Sequence, residues 1–431
     1  MSIGEAPPAP SEQAHADLGQ QDDSPTSLVR LALLVGVVLL IGVRGGLSWL
    51  FIVGAIVVMI FLHELGHFLT AKWAGMKVTQ FFLGFGPRVW SFRRGDTEYG
   101  IKAIPAGAYV KVIGMYNLDE VDPADEPRTY RQKKYHQRVL MAAAGSTMHF
   151  VLALMLIYVV LVGLGRQQPD NWTVAAVGPG SAAESAGLRS GDRLTAIDGL
   201  SVLSWTEMRD VIAPRQGRTV LVLFERDGQV NSVIATIGAN PIRPGEGQLG
   251  VGPLFPYVRV GPLAAIGQTL GEVVEVTTAS VSGMTHMFTP SGLESFAQQV
   301  AAGRPEPSAD QTDPTRSSAA TGSDTRFLSI YGAARLGVDL THEGLAPALG
   351  FLAMLNIFVG VFNLTPLLPF DGGHIAIASY ERVRELLRRD GRRHFADVAR
   401  LLPLTYAVVA VLVMIGASSL YLDFVNPVHL P

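Results

Sequence analysis

The sequence predicts a mainly α-helical polytopic membrane protein with a small β-hairpin region and one separate α+β domain. Hydrophobic residues make up 48% of the 431-residue chain and charged residues only 16%, against about 25% charged residues in an average soluble protein. The apolar residues are gathered into runs, and about 17–25 of them suffice to cross a bilayer. Four such runs predict a core of four spans in the lipid bilayer, and a shorter run before them leaves room for an extra N-terminal span.

Residues 1–27 are polar and rich in Ala, Pro, Ser, Asp and Gln. They predict a disordered tail rather than a signal peptide, because no basic stretch leads into a cleavage site. The formal net charge of −3 argues against a nucleic-acid partner. The chain contains no cysteine, so an external domain would fold without disulfides and a metal site must use His, Asp or Glu.

Residues 28–71 contain two apolar runs. The first, Leu28–Val43, has 16 residues and ends at a break formed by Arg44-Gly45-Gly46, so it is slightly shorter than a usual span. The second runs from Leu47 to about Phe68. We expect the two to form a spanning helical hairpin; the alternative is that the first lies partly in the membrane interface.

The second run carries the motif His63-Glu64-Leu65-Gly66-His67. Residues four apart share a helix face, so His63 and His67 can bind one metal ion, and imidazole nitrogens at this spacing suit zinc. Glu64 then lies beside the metal as a candidate general base. A buried helix with two packed histidines is the alternative, but such groups are costly in a membrane unless they are functional. A catalytic zinc usually has three protein ligands, so the motif leaves one to be found.

Residues 72–138 hold twelve basic and seven acidic residues, and the positive-inside rule places this loop in the cytoplasm. Within it, Arg88–Arg94, a turn at Gly95-Asp96 and Glu98–Ile104 alternate like a β-hairpin, and Gly107–Ile113 predicts another short strand. Two interpretations are open. The sheet is either a structural loop or the mouth of an active site, where its edge pairs with an extended substrate.

Residues 139–166 predict the second core span. The small residues Ala142–Ser146 near its start permit close approach of another helix. His149 follows them, and we interpret it as a packed or cavity-facing histidine rather than as a zinc ligand.

Residues 171–240 predict a self-contained α+β domain. Thr173–Val177, Arg193–Gly199 and Thr219–Gly228 read as strands with turns, and Ser204–Ile212 reads as a helix. The run Pro179–Asp192, followed by Asp198-Gly199, resembles a bacterial PDZ domain. PDZ domains capture extended peptides by adding a strand to an open sheet edge.

Two segments of different character follow. Residues 257–300 are weakly amphipathic and predict a helix on the membrane surface. Residues 302–326 are rich in Ser, Thr, Asp, Pro and Ala without periodicity, which predicts a flexible linker.

Residues 345–375 predict the third core span, interrupted near its end by Pro366 and Pro369. A broken helix at membrane depth is tolerated where it lines a cavity or is buried in protein. Asp371 lies there, and an intramembrane carboxylate is a functional candidate by default; the alternative is that it ends the span in the headgroup region. Residues 376–403 predict a basic cytoplasmic loop, and residues 404–425 the last span.

At this point the sequence resembles the site-2 protease family of intramembrane zinc metalloproteases, and most closely its bacterial PDZ-containing members that cut anti-sigma factors. The resemblance extends from about residue 47 to the C-terminus. It depends on His63-Glu64-xx-His67, Gly84–Pro87, the PDZ insert and Asn363…Pro366…Asp371-Gly372.

The resemblance implies specific roles. His63, His67 and Asp371 would bind Zn²⁺, Glu64 would be the catalytic acid/base, and Asn363 would hold the substrate backbone in an extended form. The substrate would be a transmembrane protein of the anti-sigma-factor type, cut earlier by an upstream site-1-type protease. The enzyme would lie in the inner (plasma) membrane, with its active site towards the cytoplasm and the PDZ domain outside. The family often has Asn where this chain has His149.

Two other functions stay open at this stage. A membrane-anchored zinc peptidase acting on soluble peptides would have its motif outside the spans, whereas His63 has apolar flanks. A catalytically inactive PDZ scaffold would have lost its glutamate or third ligand, whereas Glu64 and Asp371 are both present.

Overall fold

The computed structural model describes residues 25–115, 119–168, 170–241, 243–302, 328–388 and 393–426. The predicted tail, apart from its last three residues, and the predicted linker, apart from residue 302, lie outside these ranges. The α-helices are α1 Pro25–Trp73, α2 Tyr135–Val159, α3 Ala182–Ser185, α4 Trp205–Ile212, α5 Pro262–Met287, α6 Pro290–Ala302, α7 Ile330–Glu343, α8 Leu345–Asn363, α9 Asp371–Arg388 and α10 Leu402–Val425. The strands are β1 Val78–Arg94, β2 Thr97–Val112, β3 Arg166–Gln167, β4 Thr173–Val177, β5 Arg193–Ile197, β6 Leu200–Ser201, β7 Thr219–Arg226, β8 Gln229–Thr236, β9 Gly238–Ala239, β10 Gly247–Gln248, β11 Val251–Leu254 and β12 Tyr257–Val258.

Within the described ranges, four helical segments are long and apolar enough to cross a membrane: Gly42–Trp73, Tyr135–Leu164, Leu345–Asn363 and Val398–Val425. They coincide with the four predicted core spans. The run Leu28–Val43 is helical as part of α1 but is not itself one of the four. α1 is broken at Gly46, whose φ of 76° lies outside the helical region and is accessible to glycine at little cost.

The helices α1 and α2 approach each other closely through small residues. A Cβ atom added to Gly66 of α1 would lie 2.7 Å from the carbonyl oxygen of Ala144 in α2. Ala142 and Ala144 are buried, as expected for the small-residue stretch at the start of this span. On its other side α2 meets α8, where a Cβ on Gly360 would lie 3.2 Å from the Cβ of His149.

The predicted hairpin is present as β1 and β2, which turn at Gly95-Asp96. The strands pair antiparallel, with Arg94 opposite Thr97. The inner part of β1, Gln80–Leu83, has partners on both sides, Ala108–Lys111 and Glu98–Ile101. The second predicted strand, from Gly107, therefore belongs to the same sheet.

Residues 171–254 form the PDZ-like unit. Its main sheet has the order β6-β5-β7-β8, and its predicted helix is α4. The strand β11 pairs with β4, although it lies beyond residue 240, where the sequence predicted the domain to end. Outside the unit, β3 pairs with β12 and Gln167 lies opposite Tyr257. The chain therefore leaves the unit beside the point at which it enters.

The chain between α8 and α9 is irregular, as the two prolines predict. α9 then begins at Asp371 and continues to Arg388, so the part of the chain that was predicted as a basic loop starts as a helix. The amphipathic segment forms α5 and α6. Ala265 of α5 is fully buried in a cluster with Ile157 of α2 and Ile357 of α8, so α5 packs along two of the spans.

Candidate metal centre

The side chains of His63 and His67 on α1 meet that of Asp371, a residue distant in sequence, at the start of α9. Nε2 of His63 lies 3.2 Å from Nε2 of His67, and Oδ2 of Asp371 lies 3.5 and 3.3 Å from these two nitrogens. Zinc binds nitrogen and carboxylate oxygen at about 2.0–2.2 Å in tetrahedral geometry, which separates neighbouring ligand atoms by about 3.3–3.5 Å. The three atoms thus have the spacing of one face of a zinc tetrahedron.

The chemistry of this donor set also fits a cation. The side chains of His63, His67 and Asp371 are 12%, 6% and 18% exposed. Asp371 Oδ2 is buried and has no hydrogen-bond partner within the described ranges. A buried carboxylate oxygen without a donor is costly, and a metal ion between it and two imidazoles would remove that cost. Three protein ligands leave one position open, as at a catalytic zinc.

The backbone of α2 orients one of the two histidines. The carbonyl oxygen of Met141 lies 2.8 Å from Nδ1 of His67, so Nδ1 donates a proton to it and Nε2 keeps a free lone pair. Such contacts fix the tautomer and ring direction of metal-binding histidines. Gly145, one helical turn later, makes room for both rings: a Cβ atom at this position would overlap Cε1 of His63 and Nε2 of His67.

The irregular residues between α8 and α9 precede Asp371 directly. After α8 ends, residues 364–370 are irregular, and Asp371 occupies the first turn of α9, where a carboxylate is favoured by the helix dipole. The two residues that follow must be glycines, because a Cβ atom on Gly372 or Gly373 would overlap backbone atoms of residues 364–368.

Glu64 lies next to His63 on α1, close to the outer segment of β2 around Val110. Its carboxylate is within hydrogen-bonding range of the Val110 backbone in β2. Within the described ranges, the strand around Val110 pairs only with β1. Apart from this contact with Glu64, its other edge has no paired strand among the described residues.

His149 is buried against the centre but outside its ligand set. Its ring centroid lies 5.0 Å from that of His63, and its Nδ1 lies 3.0 Å from Oδ1 of Asn356. The Asn356 amide nitrogen donates to the Leu352 carbonyl at 2.7 Å, which fixes the amide so that Oδ1 accepts from His149. Sequence reasoning anticipated a packed histidine but missed its partner. A polar residue in an apolar span was the available signal.

Asn363 is the last residue of α8 and is half-buried. It follows Asn356 by seven residues, or two helical turns, and so shares its face. The Asn363 amide makes no hydrogen bond within the described ranges, whereas the oxygen and the nitrogen of the Asn356 amide each make one. Of the two asparagines on this face, Asn363 is therefore the one available to a ligand.

Comparison with known proteins gives consistent matches. The profile of peptidase family M50 matches residues 51–311 and 321–406. Zinc metalloprotease Rip1 of Mycolicibacterium smegmatis is 32% identical over 413 residues, covering 87% of this chain and 97% of that protein. Rip1 of Mycobacterium tuberculosis strain Erdman is 33% identical, covering 87% and 96%. Among solved structures, the PDZ domain of an SdrC-like protein from Listeria monocytogenes matches 21% of this chain and 93% of its own, with 23% identity and a TM-score of 0.18.

Proposed function

The chain belongs to peptidase family M50 and is a zinc metalloprotease, and we propose that it hydrolyses peptide bonds in or near the transmembrane segments of membrane proteins. The observation that carries the proposal is the location of the metal centre. His63 and His67 lie in an apolar helix long enough to span a membrane. A peptidase for soluble peptides would not need its ligands among apolar helices.

The residues divide the chemistry among them. His63, His67 and Asp371 hold the metal. Zinc at this position would supply Lewis-acid chemistry, lowering the pKa of water towards about 7 and polarising the scissile carbonyl. Glu64 takes the proton of the attacking water and returns a proton to the leaving amine. Proton transfer of this kind contributes roughly 10²–10⁴-fold to the rate.

The substrate must present an extended backbone, because the carbonyl groups of an intact helix are sterically hidden and already hydrogen-bonded. The open edge at Val110 supports this proposal, since an unpaired strand edge can accept an added strand and this one lies beside Glu64. The free amide of Asn363 can both donate to and accept from a substrate backbone.

We place the metal centre towards the cytoplasmic side of the plasma membrane. The two basic segments touch each other: Arg393 donates to the Gln132 carbonyl at 2.8 Å. They therefore lie at the same end of the spans, and the positive-inside rule assigns that end to the cytoplasm. The segment Tyr135–Leu164 leads away from it for 30 residues, or about 45 Å at 1.5 Å per residue, so the PDZ-like unit lies outside.

The test uses two variants. Purified wild-type protein should bind about one zinc per chain, Asp371→Ala should lose the metal, and Glu64→Gln should keep it but lose cleavage. In cells, Glu64→Gln should accumulate membrane-embedded stubs of a few transmembrane proteins, seen by comparing membrane proteomes with the wild type. Full activity of Asp371→Ala would overturn the ligand assignment, and accumulation of soluble peptides alone would overturn the substrate class.

We further propose that the PDZ-like unit excludes substrates with bulky external domains. The substrates would then be membrane proteins of the anti-sigma-factor type, trimmed first outside the membrane by a site-1-type protease, as in regulated intramembrane proteolysis. A size filter requires only that the unit be bulky enough to block access to the metal centre. The alternative, a receptor for the newly cut end, requires a specific groove interaction.

The PDZ-like unit can be removed between two residues that face each other in paired strands. Gln167 and Tyr257 are opposite each other in paired strands, about 5 Å apart, so a short Gly/Ser loop can replace residues 168–256. A filter predicts that the shortened protein cuts full-length substrate without the first cleavage. A receptor predicts weaker cutting even of trimmed substrate. If the shortened protein holds zinc and treats both substrates as the wild type does, the unit has neither role.

A further inference from the structure

A buried ion pair joins the helix that carries Asp371 to the start of α2. Nη1 of Arg138 lies 2.6 Å from Oε2 of Glu381, and the two side chains are 10% and 3% exposed. The other carboxylate oxygen of Glu381 accepts a hydrogen bond from the Ala396 amide at 2.7 Å. The Arg138 guanidinium also stands 5.0 Å from the ring centroid of Tyr130. None of these groups belongs to the metal centre.

The same turns of α2 also support the histidine side of the centre. Met141, whose carbonyl orients His67, follows Arg138 by three residues and thus lies less than one helical turn away, about 4.5 Å along the axis. The start of α2 therefore contacts both components of the centre. It holds a ligand of α1 through a backbone carbonyl and the helix of the third ligand through a charged side chain.

The third ligand needs such support because its helix is not continuous with α1 or α8. Residues 364–370 are irregular, so the position of α9 depends on what it packs against. Its buried residues His374, Ala378 and Glu381 are spaced i, i+4 and i+7, which places them on one face. Glu381 lies ten residues after Asp371, about 15 Å along a rigid helix. A shift at Glu381 therefore moves Asp371.

We propose that Arg138 and Glu381 are positioning residues that fix α9 on α2 and so set the distance of Asp371 from His63 and His67. The proposal depends on the metal site described above. A buried ion pair is weak evidence for stability in itself, since apolar residues can replace such pairs at little cost. The carboxylate of Glu381 is nevertheless held on one side by the charge of Arg138 and on the other by the Ala396 amide, which favours one register of α9 on α2. Metal affinity is sensitive to that register because ligand distances tolerate only about ±0.2 Å.

The test measures zinc affinity by competition with a chelator on the purified full-length protein. Glu381→Gln keeps the shape of the side chain and removes its charge, and we expect zinc binding to weaken about 10–100-fold, as for other groups that support metal ligands. The matched control is Asp192→Asn, which removes the charge of a buried carboxylate that pairs with the half-buried Arg226 in the PDZ-like unit. It should leave zinc affinity unchanged.

A double variant, Arg138→Met with Glu381→Met, separates positioning from stability. Apolar replacement should restore thermal stability without restoring the register, so zinc affinity should stay reduced. Wild-type zinc affinity in Glu381→Gln, or recovery of both stability and affinity in the double variant, would refute the proposal. Asp371→Ala, measured alongside, distinguishes this failure from that of the metal site: if it binds zinc as the wild type does, the site assignment itself is wrong.

Discussion

Gly145 offers the sharpest test of the geometry at the metal centre. A single added methyl group at this position would overlap one carbon of the His63 ring and Nε2 of His67. Ordinary Cβ contacts begin at about 3.4 Å, so the rings or the whole of α2 must move by more than the few tenths of an ångström that a neighbour can absorb. Metal sites tolerate about ±0.2 Å in ligand distance.

We therefore expect Gly145→Ala to weaken zinc binding about 10–100-fold, equivalent to about 1.4–2.7 kcal/mol. Cleavage should fall at least about 10²-fold, because a displacement near 1 Å costs that much in positioning. The assays are zinc content under chelator competition and cleavage of a transmembrane reporter substrate. Helix propensity cannot account for a loss, since alanine favours a helix over glycine.

The matched control is Gly54→Ala on α1, the helix that carries both histidines. Nothing lies within 4 Å of a Cβ added there, so zinc affinity and cleavage should remain those of the wild type. If Gly145→Ala binds zinc and cleaves substrate as well as Gly54→Ala does, the close approach of α2 to the two imidazoles is not a property of the protein.

Three further predictions concern other parts of the chain. Asn363→Leu should weaken cleavage by about 1–3 kcal/mol, the cost of leaving substrate groups unpaired, while zinc stays bound; unchanged kinetics would remove Asn363 from the site. Asp192→Asn should destabilise the PDZ-like unit by about 1.5–3 kcal/mol. Burial raises the pKa of Asp192, but hydrogen bonds from Arg226 and the Arg189 amide outweigh this effect and hold the pKa below its usual range. The stabilisation is therefore present above about pH 4 and is lost in the wild type, but not in the variant, as the pH falls further; parallel acid-unfolding curves of the two proteins would contradict this. If Leu28–Val43 spans the membrane, Ser11→Cys in this cysteine-free chain should resist an impermeant thiol reagent in intact cells, and rapid labelling would show the opposite.

The local patterns in the sequence predicted the elements of the fold well. Apolar runs located the four helices that are long and apolar enough to cross a membrane, because about twenty consecutive apolar residues are typical of a membrane helix. Alternation around Gly95-Asp96 located the hairpin. The sequence could not reveal that β11 completes the PDZ-like unit from beyond residue 240, because strand pairing between Val251 and Val177 depends on contacts between residues more than seventy positions apart.

At the metal centre the side chains could be predicted and their supports could not. Helical spacing predicts the pair His63 and His67. The cost of a carboxylate at membrane depth marks Asp371 only as a functional candidate, and the family resemblance implies its role as the third ligand. The carbonyl of Met141 is a backbone group that every residue possesses, so no residue type marks it. The pair Arg138–Glu381 is hidden differently: both residues lie in segments whose charge reads only as a cytoplasmic signature, and only the structure shows that these two are buried.

The first turns of α2 contact both helices that carry the candidate ligands. The three candidate zinc ligands reside on two helices, α1 and α9, and both helices contact the first turns of α2, through Met141 and Arg138. Movement of α2 would therefore disturb its contacts with both α1 and α9, although α2 contributes no metal ligand among the described residues. The small residues of α2 allow the approach, and in our proposal its polar contacts fix the register. Under the positioning proposal, the helix that carries no candidate ligand determines whether the three candidate ligands meet.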